Sequence, residues 1–336
     1  MPKLLCNIAI VTCLVLVSIA VIDIDKNCSE KFNSTIKDNI DVLRQYPRGL
    51  ADEYMWKLGD RFKKPLKNEP YPVLTMALDR HTYRLSQGLF ESFQIKVLSN
   101  TQYGGEIKVV VFDIGLTRRQ KKVMQDAGCR CEIRKFQFQE FPRHIKNKNL
   151  QAWKPIMIML ILVEYGKVLW VDPSIRFKSR YLEDLMEVYK KYGVVFRTNP
   201  TTKLVHQTDN NLFKYLGEDT CKFQTFKMIY TDCLALYHTP ESLALVKSWV
   251  TCAFNIDCIA PETSRIQNVA QCNSNAVTGA MCHHFEQSVF GVLARRIFHK
   301  HHVYPFSKVL DDLVYANATN DDVQYFEICG ALNCYL

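Results

Sequence analysis

Two acidic residues directly follow apolar runs in this sequence, at points where buried strands are predicted to end. Asp113 follows the run IKVVVF, and Asp172 follows the run KVLWV. In open parallel sheets, ligands bind outside the carboxyl ends of the strands. A carboxylate there can hydrogen-bond a ribose or base, or bind a divalent cation that in turn binds a diphosphate. The alternative is that each aspartate only begins a turn, which is a common role for this residue type.

Three further charged residues could act on a ligand at the same place. Lys154 precedes an apolar helix, and its ammonium could reach a phosphate or only cover the helix end. Arg176 follows Asp172 closely and could face a diphosphate or form an ordinary ion pair. Glu286, in the motif HHFEQSVF, could accept the proton of an attacking hydroxyl group or only stabilise a helix N-terminus.

A divalent cation at Asp172 would need ligands beyond this one carboxylate. Mn²⁺ or Mg²⁺ would take most of its oxygen ligands from the phosphates of a nucleotide and from water. One more protein ligand could come from a histidine, for which His283 is the first candidate, followed by His284, His301 and His302. The alternative is that these histidines belong to a polar helix start and a solvated loop.

The composition allows a large globular domain and excludes several classes of protein. The chain has 336 residues, of which 48% are hydrophobic and 12% aromatic, so it can bury a sizeable core. A net charge of +9 suits an anionic small ligand, an acidic glycan or a negative membrane surface equally well. Because no nucleic-acid-binding motif, Gly-x-Ser-x-Gly or P-loop is present, we expect no nucleic-acid partner, serine hydrolase or P-loop enzyme.

Strand-like and helix-like segments alternate from residue 71 onwards. This order predicts an α/β fold with a Rossmann-like, mostly parallel central sheet flanked by helices. Thr117 and Gln120 fit a capping box at one helix start. The predicted strands are 71–78, 107–113, 131–138, 167–171, 194–198 and 228–237, and the predicted helices are 83–95, 117–128, 153–166, 181–193, 239–254 and 283–298.

The N-terminal region predicts entry into the secretory pathway. Residues 4–22 are almost wholly apolar and uncharged, and a helix of this length approaches the thickness of a bilayer core. The predicted divisions are a cytosolic tail 1–3, a transmembrane signal anchor 4–23, a stem 24–70 and a lumenal domain 71–336. The protein would then be a single-pass type II membrane protein of the Golgi or endoplasmic reticulum. The alternative is a cleaved signal peptide, with the cut after Ala20 and a secreted product.

Glycosylation signals support a lumenal location. Sequons of the form Asn-x-Ser/Thr occur at Asn27, Asn33 and Asn317, none with proline in the middle. Two of them follow the apolar segment directly, as expected for an exposed stem.

The cysteines also suit an oxidising compartment. Thirteen are present, eleven of them outside the apolar N-terminal segment. An oxidising compartment would pair most of these thiols. Cys252 with Cys258, or Cys329 with Cys334, could close short loops, and Cys28 is a candidate for a thiol left over by the odd number.

Four segments, VVVFDIGL, AWKPIMI, VLWVDPSIRF and HHFEQSV, carry a resemblance to known proteins. They resemble an expanded nematode family of single-pass membrane proteins with a nucleotide-diphospho-sugar transferase-like domain. The segment around Asp172 is similar to the centre of type-A glycosyltransferases, where an acidic motif binds manganese and the sugar-nucleotide diphosphate. The usual Asp-x-Asp is incomplete here, because Trp170 stands at its first position. The resemblance covers about residues 70–300.

The resemblance implies a glycosyltransferase that uses a nucleotide-sugar, most simply a UDP-sugar, and a hydroxyl group of a glycan or protein as acceptor. Asp113, Lys154, Asp172 and Arg176 would bind the nucleotide and its diphosphate, and Glu286 would be the base or acceptor anchor. Mn²⁺ or Mg²⁺ would be the cofactor, bound by Asp172 and His283. The incomplete acidic motif favours a second hypothesis, a non-catalytic binding module of the same fold.

Overall fold

The structure is a computed structural model. It describes residues 28, 31–49, 51–59, 65–67, 69–99, 106–127, 129–180, 182–266, 282–300, 308–317, 319 and 324–332. The predicted transmembrane segment, Ala20, Asn27, His301, His302 and Cys334 lie outside the described residues.

A six-stranded sheet forms the centre of the molecule, in the order β3-β2-β1-β4-β7-β6. Strands β3, β2, β1 and β4 pair in parallel, and β7 is antiparallel to both β4 and β6. The predicted mostly parallel α/β sheet is thereby confirmed. A two-stranded ribbon of β5 and β8 lies apart from it. The strands are β1 Val73–Leu78, β2 Val109–Asp113, β3 Cys131–Lys135, β4 Lys167–Val171, β5 Ile175–Phe177, β6 Val194–Lys203, β7 Lys227–Tyr237 and β8 Val314–Ala316.

Helices flank this sheet and connect its strands. The predicted capping box is present, since Thr117 and Gln120 bond reciprocally before α4. The α-helices are α1 Ile36–Leu43, α2 Ala51–Gly59, α3 Thr82–Phe93, α4 Arg118–Asp126, α5 Trp153–Tyr165, α6 Glu183–Tyr192, α7 Asn210–Tyr215, α8 Pro240–Phe254, α9 Ile256–Ile259, α10 Glu262–Ile266, α11 Phe285–Ile297, α12 Lys308–Leu313 and α13 Tyr325–Leu332.

Two hydrophobic layers cover the two faces of the sheet, because side chains alternate between faces along each strand. In β4, Val168 and Trp170 belong to the layer that contains α5, α8 and α11. Leu169 and Val171 belong to the opposite layer, with α3 and α6. Asp172 is two residues after Trp170, so its side chain lies on the same face of the sheet. Its carboxylate is therefore directed towards α5 and α11.

Helix α5 lies against the sheet and is apolar on nearly all sides, as predicted. Eleven of its thirteen residues are buried, Lys154 among them. Gly166 ends the helix with φ 74°, a left-handed conformation that favours glycine, and β4 begins at the next residue. This short connection fixes the start of α5 and the end of β4 relative to each other.

The segment predicted as a stem includes structure that packs on the domain. Helix α1 contributes Ile40 and Leu43 to the core that it shares with α8 and α11. Tyr46, which follows α1, donates a hydrogen bond to the buried carboxylate of Glu218, and Glu218 also pairs with Arg296 of α11 and with Lys222. A disulfide joins Cys28 to Cys221. Residues 28–59 are therefore attached to the domain by apolar packing and a covalent bond, and a boundary at residue 70 stays a prediction.

The disulfides only partly follow the sequence prediction. The Cys252–Cys258 pair is confirmed. The prediction of a leftover thiol at Cys28 is wrong, because Cys28 is bonded to a cysteine distant in sequence. Cys129 and Cys131 form a further, unpredicted pair across one residue.

The prediction of a single-pass membrane protein is contradicted. Among the residues that the structure describes, no helix has both the length and the apolar character needed to cross a bilayer. The assignment to the Golgi or endoplasmic reticulum membrane depended on such a helix and is not supported.

Candidate functional site

Three of the predicted site residues meet at the carboxyl end of β4. The ammonium of Lys154 lies 3.0 Å from Oδ2 of Asp172 and 3.1 Å from Oε1 of Glu286. It also donates to the carbonyl oxygen of Thr231, at 3.4 Å. A lysine thus bridges two carboxylates that are 114 residues apart in the sequence.

Three elements bring these side chains together. Lys154 is in the first turn of α5, Asp172 directly follows β4, and Glu286 is in the first turn of α11. Phe285 has φ 40°, a left-handed conformation rare for a residue with a bulky side chain. Backbone strain of this kind clusters at functional sites.

The site is also located where the fold rule for open α/β sheets places ligands. The chain adds β2 and β3 on one side of β1, and β4 on the other. The carboxyl ends of β1 and β4 therefore flank a topological switch point, and ligands bind in the crevice there. Asp172 is at this edge of the sheet.

Glu286 is buried and hydrogen-bonded inside the protein. Its side chain is 6% exposed, and the Thr231 hydroxyl lies 3.0 Å from each of its carboxylate oxygens. The indole of Trp249 donates to its backbone carbonyl at 2.9 Å. Burial raises the pKa of Glu286 to about 7. The positive charge of Lys154 offsets this rise only in part, and the negative charge of Asp172 adds to it.

Lys154 stays charged despite being buried. Desolvation would lower its pKa, but the carboxylates of Asp172 and Glu286 outweigh desolvation and raise the pKa above the usual value. A buried cation between two carboxylates is stabilised only while both partners remain in place.

Asp172 is the most exposed member of the cluster, with 24% of its side chain accessible. Its Oδ2 pairs with Lys154, and its Oδ1 accepts a hydrogen bond of 2.8 Å from the indole of Trp170. Each carboxylate oxygen can accept more than one bond, so a ligand at the sheet edge could still reach Asp172.

Asp113 lies at the end of β2 and organises the turn that follows. Its Oδ1 accepts from the backbone N–H groups of Gly115 and Leu116, at 2.9 and 2.8 Å, and its Oδ2 pairs with Lys121 at 3.0 Å. Burial would raise the pKa of Asp113, but the bonds from Lys121 and the backbone together lower it. Asp113 therefore begins a turn in the structure, as the alternative interpretation of this residue stated.

Arg176 lies on β5 and packs on α3, in the layer opposite the one that contains α5 and Lys154. Its guanidinium donates to the carbonyl oxygens of Pro173 and Ile175, at 2.9 and 3.0 Å. It packs so closely on α3 that a Cβ atom at Gly88 would lie 2.5 Å from its Nε. These contacts connect the loop after Asp172 to α3.

His283 does not join the cluster, contrary to its predicted role as a metal ligand. Its Nδ1 accepts from the backbone N–H of Asp209 at 3.2 Å, and its Nε2 lies 3.1 Å from the carbonyl oxygen of Ile259. Burial lowers the pKa of His283 to about 4, so the ring is neutral at physiological pH. Both nitrogens are engaged in the core, which neither the metal-ligand role nor the alternative of a polar helix start predicted.

The described residues do not fit a divalent-cation site at Asp172. Asp172 and its cross-strand neighbour Asp232 are both partly exposed there, but each already pairs with a cation, Asp172 with Lys154 and Asp232 with Arg197. The group of closely spaced ligating atoms found among the described residues is elsewhere and consists of Cys28, Asp219 and Cys221. Its two sulfur atoms are joined in a disulfide, so they are not thiolate ligands.

Sequence reasoning missed three residues around the cluster. Thr231 bonds to both Lys154 and Glu286, and Trp170 bonds to Asp172. Asp232, the neighbour of Thr231 on β7, pairs with Arg197 at 3.2 Å, and burial raises its pKa to about 6. Two adjacent polar residues inside the otherwise apolar segment MIYTDCLALY are the signal that could have revealed this strand.

Comparisons with solved structures find glycosyltransferases. The chain is similar to the galactosyltransferase LgtC in complex with donor and acceptor sugar analogues, at 12% identity and a TM-score of 0.40, over 77% of this chain and 95% of that one. It is similar to the bifunctional glycosyltransferase WbbM at 12% identity and a TM-score of 0.40, over 68% of this chain and 37% of that one.

A third similar structure is the Mn/GDP form of core-mannan synthase A from Aspergillus fumigatus. Here the identity is 9% and the TM-score 0.36, over 66% of this chain and 68% of that one. No protein-family model and no curated protein matches the sequence. At these TM-scores the likeness carries no argument of its own, so the fold class rests on the observed sheet. Membership of the nematode family stays a prediction.

Proposed function

We propose that the chain is a glycosyltransferase that moves a sugar from a nucleotide-sugar to a hydroxyl group of a glycan or protein. The observation that supports this proposal is the meeting of Lys154, Asp172 and Glu286 at the switch point of the sheet. Buried ionisable groups with perturbed pKa values gather at catalytic sites more often than elsewhere. The pKa of Glu286, about 7, suits a residue that exchanges a proton near neutral pH.

In the proposed reaction, the oxygen of the acceptor hydroxyl attacks the anomeric carbon of the donor sugar. The bond from that carbon to the diphosphate oxygen breaks, and the nucleoside diphosphate leaves with the electron pair. In a single displacement Glu286 is the base that takes up the hydroxyl proton, and its carboxylate is ionised in part near pH 7 because the charge of Lys154 limits the rise in its pKa. Asp172, the exposed member of the cluster, contacts the ligand.

In this proposal, two other predicted residues, Asp113 and Arg176, hold the loops that shape the site. Asp113 fixes the turn after β2, which would border the nucleoside of a UDP-sugar. Arg176 anchors the loop after Asp172 to α3. We assign no step to Mn²⁺ or Mg²⁺, because the described residues do not fit such an ion.

A non-catalytic binding module is the second candidate function. It is favoured by the bonds that Asp172 and Glu286 already make inside the protein, which leave Lys154 between two satisfied carboxylates. A prominent cavity, of about 470 Å³, lies away from these residues, between α1, α2 and α8.

The disulfides Cys28–Cys221, Cys129–Cys131 and Cys252–Cys258, all between described residues, support folding in an oxidising compartment. Asn33 is exposed before α1, and Asn317 is half-buried with its backbone N–H bonded to Ser174 at 2.7 Å. We expect the exposed sequon at Asn33 to carry a glycan if the chain passes through such a compartment, a shift in mass that endoglycosidase treatment would reverse.

The experiment that tests the proposal is calorimetric titration of the purified chain with UDP and a panel of UDP-sugars, with and without manganese. We expect binding whose affinity does not depend on manganese. Absence of binding to every common nucleotide-sugar would refute the transferase. An Asp172→Ala variant, checked for folding by circular dichroism, separates the two candidates: a transferase loses turnover, whereas a binding module keeps its partner. If this variant misfolds, Asp172→Asn, which keeps an oxygen for Lys154 and Trp170, provides the same comparison. Glu187→Ala, on the exposed face of α6, is the matched control.

A further inference from the structure

A cavity of about 470 Å³ opens where α1, α2 and α8 meet. This volume is within the range of small-molecule sites, about 300–1,000 Å³. The cavity is independent of the cluster around Lys154, and no residue of that cluster lines it. Its walls come from the segment before the sheet and from one face of α8, so the packing of the N-terminal helices creates it.

Positive charge dominates the polar part of this cavity. Arg44, Arg48 and Lys247 line it, against the single carboxylate of Asp52. Burial lowers the pKa of Lys247, and the nearby charges of Arg44 and Arg48 lower it further. Three cations close enough to repel one another are stabilised when an anion lies between them.

The carboxylates that now contact these arginines are weak competitors. Arg44 pairs with Asp41 at 2.5 Å, and Arg48 with Asp52 at 3.2 Å. All four side chains are at least 43% exposed. Ion pairs this exposed contribute about 0–1 kcal/mol, so the guanidinium groups can exchange them for a bound anion.

Much of the remaining wall is apolar, although Tyr46, Ser248 and Thr251 also line the cavity. Leu43, Met55, Leu216 and Leu243 line the cavity, and the Cys252–Cys258 disulfide lies beside them. Leu43 is in the core, whereas Met55 and Leu243 are partly buried and pack against it. An inorganic ion would leave this apolar surface uncovered, and an uncharged hydrocarbon would form no ion pair with the cations of the cavity.

We propose that this cavity binds an amphipathic organic anion, with one anionic head group at Arg44, Arg48 and Lys247 and an apolar body against the leucines. A carboxylate and a phosphate ester share this chemistry. The proposal does not depend on sugar transfer.

Three probes of related structure test this proposal by calorimetric titration of the full chain. Octanoate carries both a head group and an apolar body, octanol lacks the charge, and acetate lacks the body. We expect octanoate to bind at least about tenfold more tightly than either of the others, because only octanoate satisfies both parts of the cavity. Octyl phosphate then distinguishes a phosphate head group from a carboxylate.

Two variants locate the binding. Lys247→Met keeps the apolar stem of the side chain and removes the charge, which should weaken octanoate about tenfold. Lys190→Met on α6 should leave it unchanged. Arg44→Gln, at an exposed position, provides a second test if circular dichroism shows that Lys247→Met misfolds. The proposal is overturned if octanol and octanoate bind equally, if octanoate does not bind at millimolar concentration, or if the folded cavity variants bind as tightly as the unmodified chain.

Discussion

At the scale of single residues, Lys154 determines whether the carboxylates beside β4 can stay charged. Its side chain is 1% exposed, and its ammonium contacts both Asp172 and Glu286. Burying a charge without a partner is costly, and removing one member of a buried pair leaves the other uncompensated. The contacts of Lys154 with Asp172 and Glu286 therefore stabilise the fold as well as form the candidate site.

Replacing Lys154 with methionine should destabilise the fold by about 3–5 kcal/mol at pH 8, because it leaves Glu286 buried without a counter-ion. The loss should be smaller at pH 5, where Glu286 can take up a proton instead. Urea denaturation at both pH values measures the free energy of unfolding. Lys190→Met is the matched control and should change it by no more than about 0.5 kcal/mol. A loss independent of pH would show that Glu286 does not respond to Lys154.

Glu286 should also make stability depend on pH. Its pKa in the folded chain, about 7, lies above the ordinary value of 4.5, so the folded state binds the proton more tightly. This contribution is fully present below pH 4.5 and is lost as pH rises through about 7, a difference of about 3 kcal/mol.

The variant Glu286→Gln cannot titrate, so its free energy of unfolding should vary less than that of the unmodified chain across this interval. Denaturation curves at several pH values provide the comparison, with Glu187→Gln on the exposed face of α6 as control. Identical pH profiles for the unmodified chain and Glu286→Gln would refute the assigned pKa shift.

At the scale of elements, the close contact between α3 and β5 fixes the loop after Asp172. The guanidinium of Arg176 packs against Gly88, where the absence of a side chain leaves room for it. Elements that approach this closely depend on glycine for steric reasons. Because α3 lies on the face of the sheet opposite α5 and α11, packing on that opposite face determines the position of the loop.

Gly88→Ala should therefore destabilise the protein by about 1–3 kcal/mol, because the new methyl group would overlap a guanidinium that is buried and held by the carbonyl oxygens of Pro173 and Ile175. Combining it with Arg176→Ala in a double-mutant cycle should show a coupling energy above about 0.5 kcal/mol. Thermal and urea denaturation provide the four stabilities. Simple additivity would mean that the two residues do not compete for the same space.

At the scale of the whole molecule, one disulfide links the N-terminal segment to the domain. Cys28 and Cys221 are 193 residues apart, whereas Cys129 and Cys131 are two apart. A cross-link that closes a long loop restricts the unfolded chain more than one that closes a short loop.

Cys28→Ser should accordingly lower the free energy of unfolding by about 2–5 kcal/mol, and Cys129→Ser by less. Denaturation without reductant measures both, and dithiothreitol should remove the difference between each variant and the unmodified chain. Equal losses in the two variants would show that loop length is not the source of the stability.

Much of the secondary structure could be predicted from the sequence, because local patterns carry it. The run KVLWV predicted β4 at its observed limits, and Thr117 with Gln120 predicted the start of α4. Asp172 was correctly placed at the end of a strand for the same reason. These features depend on neighbours within a few residues, which a sequence displays directly.

Only the tertiary structure decided which of the candidate residues meet. Lys154 and Glu286 lie on different helices, and their contact depends on how α5 and α11 pack on one face of the sheet. His283, three residues before Glu286, points into the core instead, because its ring bonds Asp209 and Ile259. Such contacts join residues distant in the chain, and the short-range periodicity of a sequence does not specify them.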